Sequence, residues 1–428
     1  MKLTQLSNSF QQEKPFVKIF LFFLLCQAYT INMTEARSFH LDYFHISPPH
    51  KTFSKEEKKL DILFSNWFHQ QHIYPPRFDG SLREASWQLV HRLVKKPLKH
   101  LPYKTVQAAM WLAGNSDHQI RIFGMSFLTI QELKKTLYHS LATKLAGERP
   151  THFGMAIIKK HNKRGICLMI LARRGIQLSP IPRWVRVGQR INISGQLLAG
   201  FGDPQLIIGS PDGKVTKIRP KVNKNRSFSI NWRASQIGYA RIQLAVRNER
   251  GPWISSQFDL HIIPQKYSWS KVWKQDYQLK HKELWNTPKP KITRRIKKKW
   301  TAKAAAIALW KIVNNKRKLQ MKRTLRRDLR LDLLARSHAQ DMVQSGFFGH
   351  TSPQKGSFAE RLKTLHWALH YARENIVVAN TPQEAYILLL KSPSHRINLF
   401  SSKPIFTGVG AAIHPSGQIY FVQVFVKP

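Results

Sequence analysis

Apolar positions along the chain change their period three times. Between about 55 and 175 the first half has helical spacing. Leu60, Ile62, Leu63, Trp67 and Phe68 predict one amphipathic helix, and Leu82, Ala85, Leu89 and Val90 a second, with Asp79 near its start. That segment closes on a continuous apolar run, Ile166–Ala172, the length of one buried strand. From 177 to 264 the period drops to two. Val185, Val187, Ile191 and Ile193 alternate with polar residues, as do Phe228, Ile230 and Trp232, then Ile242, Leu244 and Val246, then Phe258, Leu260 and Ile262. Pro211-Asp212-Gly213 marks a tight turn among them. Short strands with regular turn signals predict a central β-sandwich of immunoglobulin-like size, which carries no catalytic constellation and reads as a spacer or binding module. Helical spacing returns at Leu331, Leu334, Ala335, His338 and Met342, which share one helix face; His338 there reads as a packed core histidine. Two closing strands follow, Thr407–Ala412 and Ile419–Phe425, around a turn at Pro415-Ser416-Gly417.

Composition adds three constraints. The 428 residues are 42% hydrophobic and 11% aromatic, enough to bury several cores, so global disorder is excluded and more than one domain is expected. Seventy Lys and Arg against 23 Asp and Glu give a net charge of +47, which favours polyanionic partners such as an anionic lipid or envelope polymer. The only cysteines are Cys26 and Cys167, which excludes a disulfide framework and a Cys-rich zinc site.

From about 265 to 327 the chain is dense in Lys and Arg. Pro288 and Pro290, Lys297-Lys298-Lys299, and the tryptophans 269, 273, 285 and 300 predict a basic, Trp-containing linker over 265–302, with Arg326-Arg327 a further cluster downstream. Basic residues interleaved with aromatics also suit single-stranded nucleic acid, though an anionic surface fits better if the chain is exported. Export is suggested by residues 16–28, an apolar run after Lys14 that is short of the ~20 residues of a membrane span and ends on a small residue, Ala28. Residues 1–30 therefore read as a signal peptide or a membrane-tethering segment, and Cys26 leaves a lipoprotein signal open.

The last 125 or so residues carry the chemistry. Asn314-x-x-Arg317, Asp328-x-x-Leu331, His338-Ala339-x-Asp341-Met342, Phe347-Phe348-Gly349-His350-Thr351-Ser352-Pro353, Glu374-Asn375-Ile376, Ser392-Pro393-Ser394-His395-Arg396 and Val422-Gln423-Val424-Phe425 follow one another in order. This ordered set resembles the CAP superfamily (the SCP-like, or cysteine-rich secretory protein, family), in its short cysteine-poor bacterial branch. The resemblance implies an α–β–α sandwich for residues 303–428 within an α+β, multidomain chain. It also implies a surface cleft in which His350 and His395 are the two cavity histidines and Glu374 the acid. A second family glutamate is replaced by Ser392.

Two imidazoles and a carboxylate suit Zn²⁺, with His350 and His395 as metal ligands and open positions for water. Three uses follow: binding of a lipid-like, peptide or polymer ligand or of a divalent metal; hydrolysis, with His350, Glu374 and His395 as catalytic candidates around a metal or an activated water; or bracing of the loops. Finally, residues 55–175 look like a worn copy of the C-terminal segment. Thr129-x-Gln131-Glu132 echoes Thr381-x-Gln383-Glu384, and Asp79-x-x-Leu82 echoes Asp328-x-x-Leu331. Phe153-Gly154 is paired with Val409-Gly410, and Gly165 with Gly417; Ile122 falls where Glu374 stands, and the SPSHR element is missing. The expectation is a degenerate CAP-like α+β domain without an acid-bearing cleft.

Overall fold

The structure is a computed structural model that describes residues 43–44, 53–95, 101–145, 149–159, 164–249, 251–285 and 300–428. The apolar run at 16–28, Pro288, Pro290 and Lys297–Lys299 lie outside the described residues. Among those described, no helix is long and apolar enough to cross a membrane.

After a short strand β1 (Tyr43–Phe44), the first unit runs α1 (Lys55–Gln70), β2 (Arg77–Phe78), α2 (Gly80–Lys95), α3 (Tyr103–Leu112), β3 (Ile120–Phe127), α4 (Ile130–Leu145), β4 (His152–Ile158) and β5 (Gly165–Ala172). Ser54 starts α1 through a reciprocal capping box with Glu57. The sheet order is β2-β4-β5-β3. The period of two explains why β5 is apolar throughout. Its Cys167, Met169 and Leu171 join the core under α1 and α4, while Leu168, Ile170 and Ala172 join the core under α2 and α3. Burial pushes the Cys167 thiol well above its ordinary pKa, so it is packing rather than chemistry.

The second unit comprises β6 (Ile176–Leu178), β7 (Ile181–Pro182), β8 (Trp184–Arg186), β9 (Arg190–Leu197), β10 (Gly202–Gly209), β11 (Val215–Ile218), β12 (Ser227–Arg233), β13 (Gly238–Asn248) and β14 (Gly251–Ile263). A five-stranded sheet, β11-β10-β13-β14-β8, faces a three-stranded one, β12-β9-β6. One core joins them, with Ile193 and Ile230 from one sheet against Leu206, Ile242 and Leu260 from the other. β1 pairs with β7 and adds Phe44 to this core.

The segment read as a linker is in part a helix. α5 (Trp269–Trp285) docks across the first two units. Leu284 is buried against α2 and α3, where its carbonyl accepts the Arg92 Nε–H at 2.6 Å. Asp276 accepts from Trp184 Nε1 (2.7 Å), Tyr239 Oη (2.6 Å) and His261 Nδ1 (3.0 Å). These bonds hold its carboxyl below the ordinary range although burial alone would raise it. A composition dense in lysine hid the buried face of this helix.

The third unit runs α6 (Ala302–Leu319), β15 (Arg326–Arg327), α7 (Leu329–Gln344), α8 (Phe358–Lys363), β16 (Tyr371–Ala379), α9 (Pro382–Lys391), α10 (Pro393–Phe400), β17 (Phe406–Ile413) and β18 (Ile419–Lys427). Its sheet order, β15-β17-β18-β16, repeats that of the first unit, including the single parallel pair at one edge. Helices cover both faces, and β18 sends Phe421 and Phe425 to one core and Val422 and Val424 to the other.

The shared order fixes the correspondence between the two sheets. Ile122 stands opposite Ile170 as Glu374 stands opposite Val424. Glu132 and Glu384 each accept the backbone N–H four residues before, at Leu128 and Asn380. The pairing of Gly154 with Gly410, however, is two residues out. Asp79 N–H donates to Phe153 O as Asp328 N–H donates to Thr407 O, so Gly154 matches Gly408. Close approach explains the error. A Cβ at Gly154 would lie 2.1 Å from the backbone of Arg83, one at Gly408 2.2 Å from Leu331, and one at Gly410 2.0 Å from Arg336. β17 therefore carries two contact glycines under its helix, and sequence alone matched the wrong one. The same slip applies to Gly165, which corresponds to Ile419 and not to Gly417.

Candidate functional site

β16 is an edge strand, and its alternation sends neighbouring residues to opposite layers. Glu374 points to the side of α7 and α8; Asn375 points to the side of α9 and α10.

Glu374 has no exposed side-chain surface. Arg361 Nη2–H on α8 donates to its Oε2 at 2.8 Å, and His350 Nδ1–H donates to its Oε1, also at 2.8 Å. Burial alone would raise the carboxyl pKa, but the His350 hydrogen bond and the charges of His350 and Arg361 outweigh it and hold the group below its ordinary value. Arg361 also donates through Nη1 to the carbonyls of His350 (2.8 Å) and Gly356 (3.0 Å), which ties the loop to the helix that holds the acid. Ser352 Oγ accepts from the amides of Gln354 and Lys355 and tightens the loop. His338, fully buried, meets Gly349 O through Nε2 at 2.9 Å. Burial pushes its pKa down to about 4, so it is neutral and braces the loop from below. With Nδ1 directed at Glu374, His350 leaves Nε2 outside that contact, on a side chain that is 41% exposed.

On the other side of the strand Asn375, fully buried, donates through Nδ2 to His395 O at 3.2 Å and accepts from Asn398 Nδ2 at 2.8 Å. This fixes the start of α10 beside the strand edge. The His395 ring is half-buried. Its surroundings push its pKa down to about 3, chiefly by burial, with the charges of His350 and His118 adding to the effect. His350 and Glu374 are thus in direct contact, and the His395 backbone lies against Asn375, the next residue of the strand.

Among the described residues, no group of three or more His, Cys, Asp or Glu side chains is gathered closely enough to hold a metal ion. Each oxygen of Glu374 already accepts one hydrogen bond, Oε2 from Arg361 and Oε1 from His350.

Several contributors were not singled out from sequence. Arg361 places a buried cation at the site, in a short helix after the FFGHTSP loop. Gln243 on β13 accepts from Ser394 N–H at 3.0 Å and donates to Ser392 Oγ at 3.2 Å and to Gln257 Oε1 at 2.6 Å. Gln257 N–H donates to Ser116 O and His118 N–H to Ser255 O, so the loop before β3 arrives at the same junction. His118 is half-buried, with its pKa pushed down to about 4 by burial and by the Arg241 charge. Arg241 Nη1–H donates to Lys391 O and Arg396 Nη1–H to Gly213 O, completing the seam between the sandwich and α9–α10. The start of α10 is therefore docked on the sandwich.

The profile of the cysteine-rich secretory protein (CAP) family matches residues 310–425. A Bacillus subtilis (strain 168) protein, the uncharacterized YkwD, is 32% identical over 117 residues, which is 27% of this chain and 45% of that protein. The C-terminal domain belongs to the CAP superfamily. The chain thus spans under half the length of that relative. Similar solved structures include an extracellular protein containing an SCP domain from Bacillus anthracis, at 17% identity over 47% of this chain and 64% of that one, TM-score 0.28. A cysteine-rich secretory protein from Staphylococcus aureus is 11% identical over 64% of this chain and 83% of that one, TM-score 0.26. Within the CAP domain, the FFGHTSP loop, the Glu-Asn pair and the SPSHR helix start are the segments that surround the edge of β16.

Proposed function

We propose that the chain is an exported, envelope-associated protein whose CAP domain binds a ligand between His350 and His395. One observation carries the reading. A fully buried carboxylate, held by Arg361, fixes an exposed imidazole so that its free nitrogen faces outward, next to a second imidazole kept neutral. A carboxylate and a guanidinium withheld from solvent to orient one histidine make a rigid recognition group rather than a reactive one. Neutral imidazoles supply hydrogen-bond donors and acceptors without charge, which suits the polar end of a lipid-like or peptide ligand. Support for export comes from the apolar run at 16–28.

The hydrolase reading has less behind it. Glu374 is fully buried and already accepts from His350 and Arg361, so base chemistry would fall to the exposed His350. The finer reading of the N-terminal unit, a CAP-like domain that kept its sheet and lost its site, is supported by the shared strand order and by Ile122 at the position of Glu374.

The test uses the full chain and His350→Ala/His395→Ala, both purified from cells that export them, extracted with organic solvent and analysed by mass spectrometry. A compound retained at near one per chain by the parent and lost from the double variant is expected. Equal retention by both, or none by the parent, would overturn the proposal.

A further inference from the structure

One surface of the CAP domain alternates cations with aromatic rings. The Arg326 guanidinium lies 5.4 Å from the Phe406 ring centroid, Phe406 lies 6.2 Å from Trp367, and the Arg330 guanidinium lies 4.0 Å over Trp367. Beside this ladder, α7 exposes two leucines one turn apart, Leu329 at 72% and Leu333 at 56%. Arg336, three positions on from Leu333, is exposed as well. Nearby acids do not cancel this charge. Asp328 is shared with Arg330, and Asp332 is bound by Arg327, so Arg326 and Arg336 have no acidic partner among the described residues.

We propose that this face, formed by the outer side of α7 with Arg326, Trp367 and Phe406, is where the protein rests on an anionic lipid surface. It deepens the envelope-associated reading above by naming the surface and the residues. Guanidinium groups would meet lipid phosphates, Leu329 and Leu333 would enter between headgroups, and Trp367 would sit at the boundary, as amphipathic faces do at a bilayer. Net charge of +47 supplies the long-range attraction, and the absence of a spanning helix among the described residues makes a lateral contact the one consistent with them. The same geometry argues against single-stranded nucleic acid. Bases need open aromatic faces to stack on, whereas here Trp367 is covered by Arg330 and Phe406 by Arg326, and exposed aliphatic leucines offer no stacking surface.

The experiment is co-sedimentation of the full chain with vesicles of pure phosphatidylcholine and of phosphatidylcholine with 30% phosphatidylglycerol, at 150 mM salt. The parent is compared with Leu329→Ser/Leu333→Ser, which leaves charge unchanged, with Arg326→Ser/Arg330→Ser, and with a distant control, Lys221→Ser/Lys224→Ser on the sandwich. Near-ultraviolet circular dichroism shows that each variant is folded. Binding to the anionic vesicles only, reduced at least fivefold by the leucine pair and by the arginine pair but not by the control, is expected. Anionic-vesicle binding that ignores the leucine pair, or that all charge variants weaken alike, would overturn this face while leaving envelope attachment standing. No binding to anionic vesicles, or tighter binding to a poly-uridine strand than to vesicles, would overturn both. None of these outcomes touches the ligand cleft, whose test is separate.

Discussion

Glu374 is held in a position where losing either partner is expensive. A buried carboxylate deprived of its guanidinium keeps the cost of burial without its compensation. Arg361→Ala should lower the stability of the full chain by about 3–5 kcal/mol in urea unfolding, whereas Lys363→Ala on the same helix, exposed, should change it by less than about 0.5 kcal/mol. The linkage has a definite sign. Glu374 has a depressed pKa in the fold, so its contribution is complete at neutral pH and is lost as pH falls below the ordinary carboxylate range. His338 acts earlier. It stays neutral to about pH 4 in the fold, while the unfolded chain takes up its proton near 6.5, so stability falls through that window by up to about 1.4 kcal/mol per pH unit for this one group. His338→Gln should flatten the pH dependence of the melting temperature between pH 6.5 and 4; an unchanged slope would show that His338 is not neutral in the fold. His350, Glu374 and His395 stand out in the sequence because each sits in a short motif. Arg361 does not, because a lone arginine on a helix shows no sign that its partner lies 13 residues on, buried in a strand.

At the scale of elements, the α7–β17 contact depends on the absence of side chains. Gly410→Ala would place a Cβ 2.0 Å from the α7 backbone, and the strand must shift or the helix lift, at a cost of about 1–3 kcal/mol or more. Gly417→Ala, in an open turn with positive φ, meets no neighbour and should cost less; the same urea experiment ranks the two. α5 offers a second case. Asp276→Ala removes three hydrogen bonds to the sandwich at once, so proteolysis within 269–285 should accelerate while the CAP domain stays resistant. Equal protection of α5 in that variant would mean that the Leu284 contact alone holds the helix. Period and turn signals made most strands visible in the sequence. α5 was hidden because charged side chains on its outer face dominate its composition. The repeat register came out right at Glu132 and Ile122, where a capping pattern anchors it, and two residues out at Gly154, where one glycine looks like another.

Across the whole molecule, the start of α10 is held by parts of the chain far from the CAP domain in sequence. Gln243 brings the sandwich against the start of α10, a junction that no local pattern announces because its contacts span about 150 residues. The account rests on that arrangement: Glu374 latches His350 with its Nε2 outward, and His395 is kept neutral by the junction. Nitrogen NMR of the full chain labelled at histidine, titrated from pH 8 to 4, reads both features in one experiment. The expected result is His350 as the Nδ1–H tautomer at neutral pH, with His395 and His118 still neutral at pH 5 and both rings shifting in Gln243→Ala. A His350 protonated on Nε2, together with a His395 that titrates near 6.5 and ignores Gln243, would contradict it.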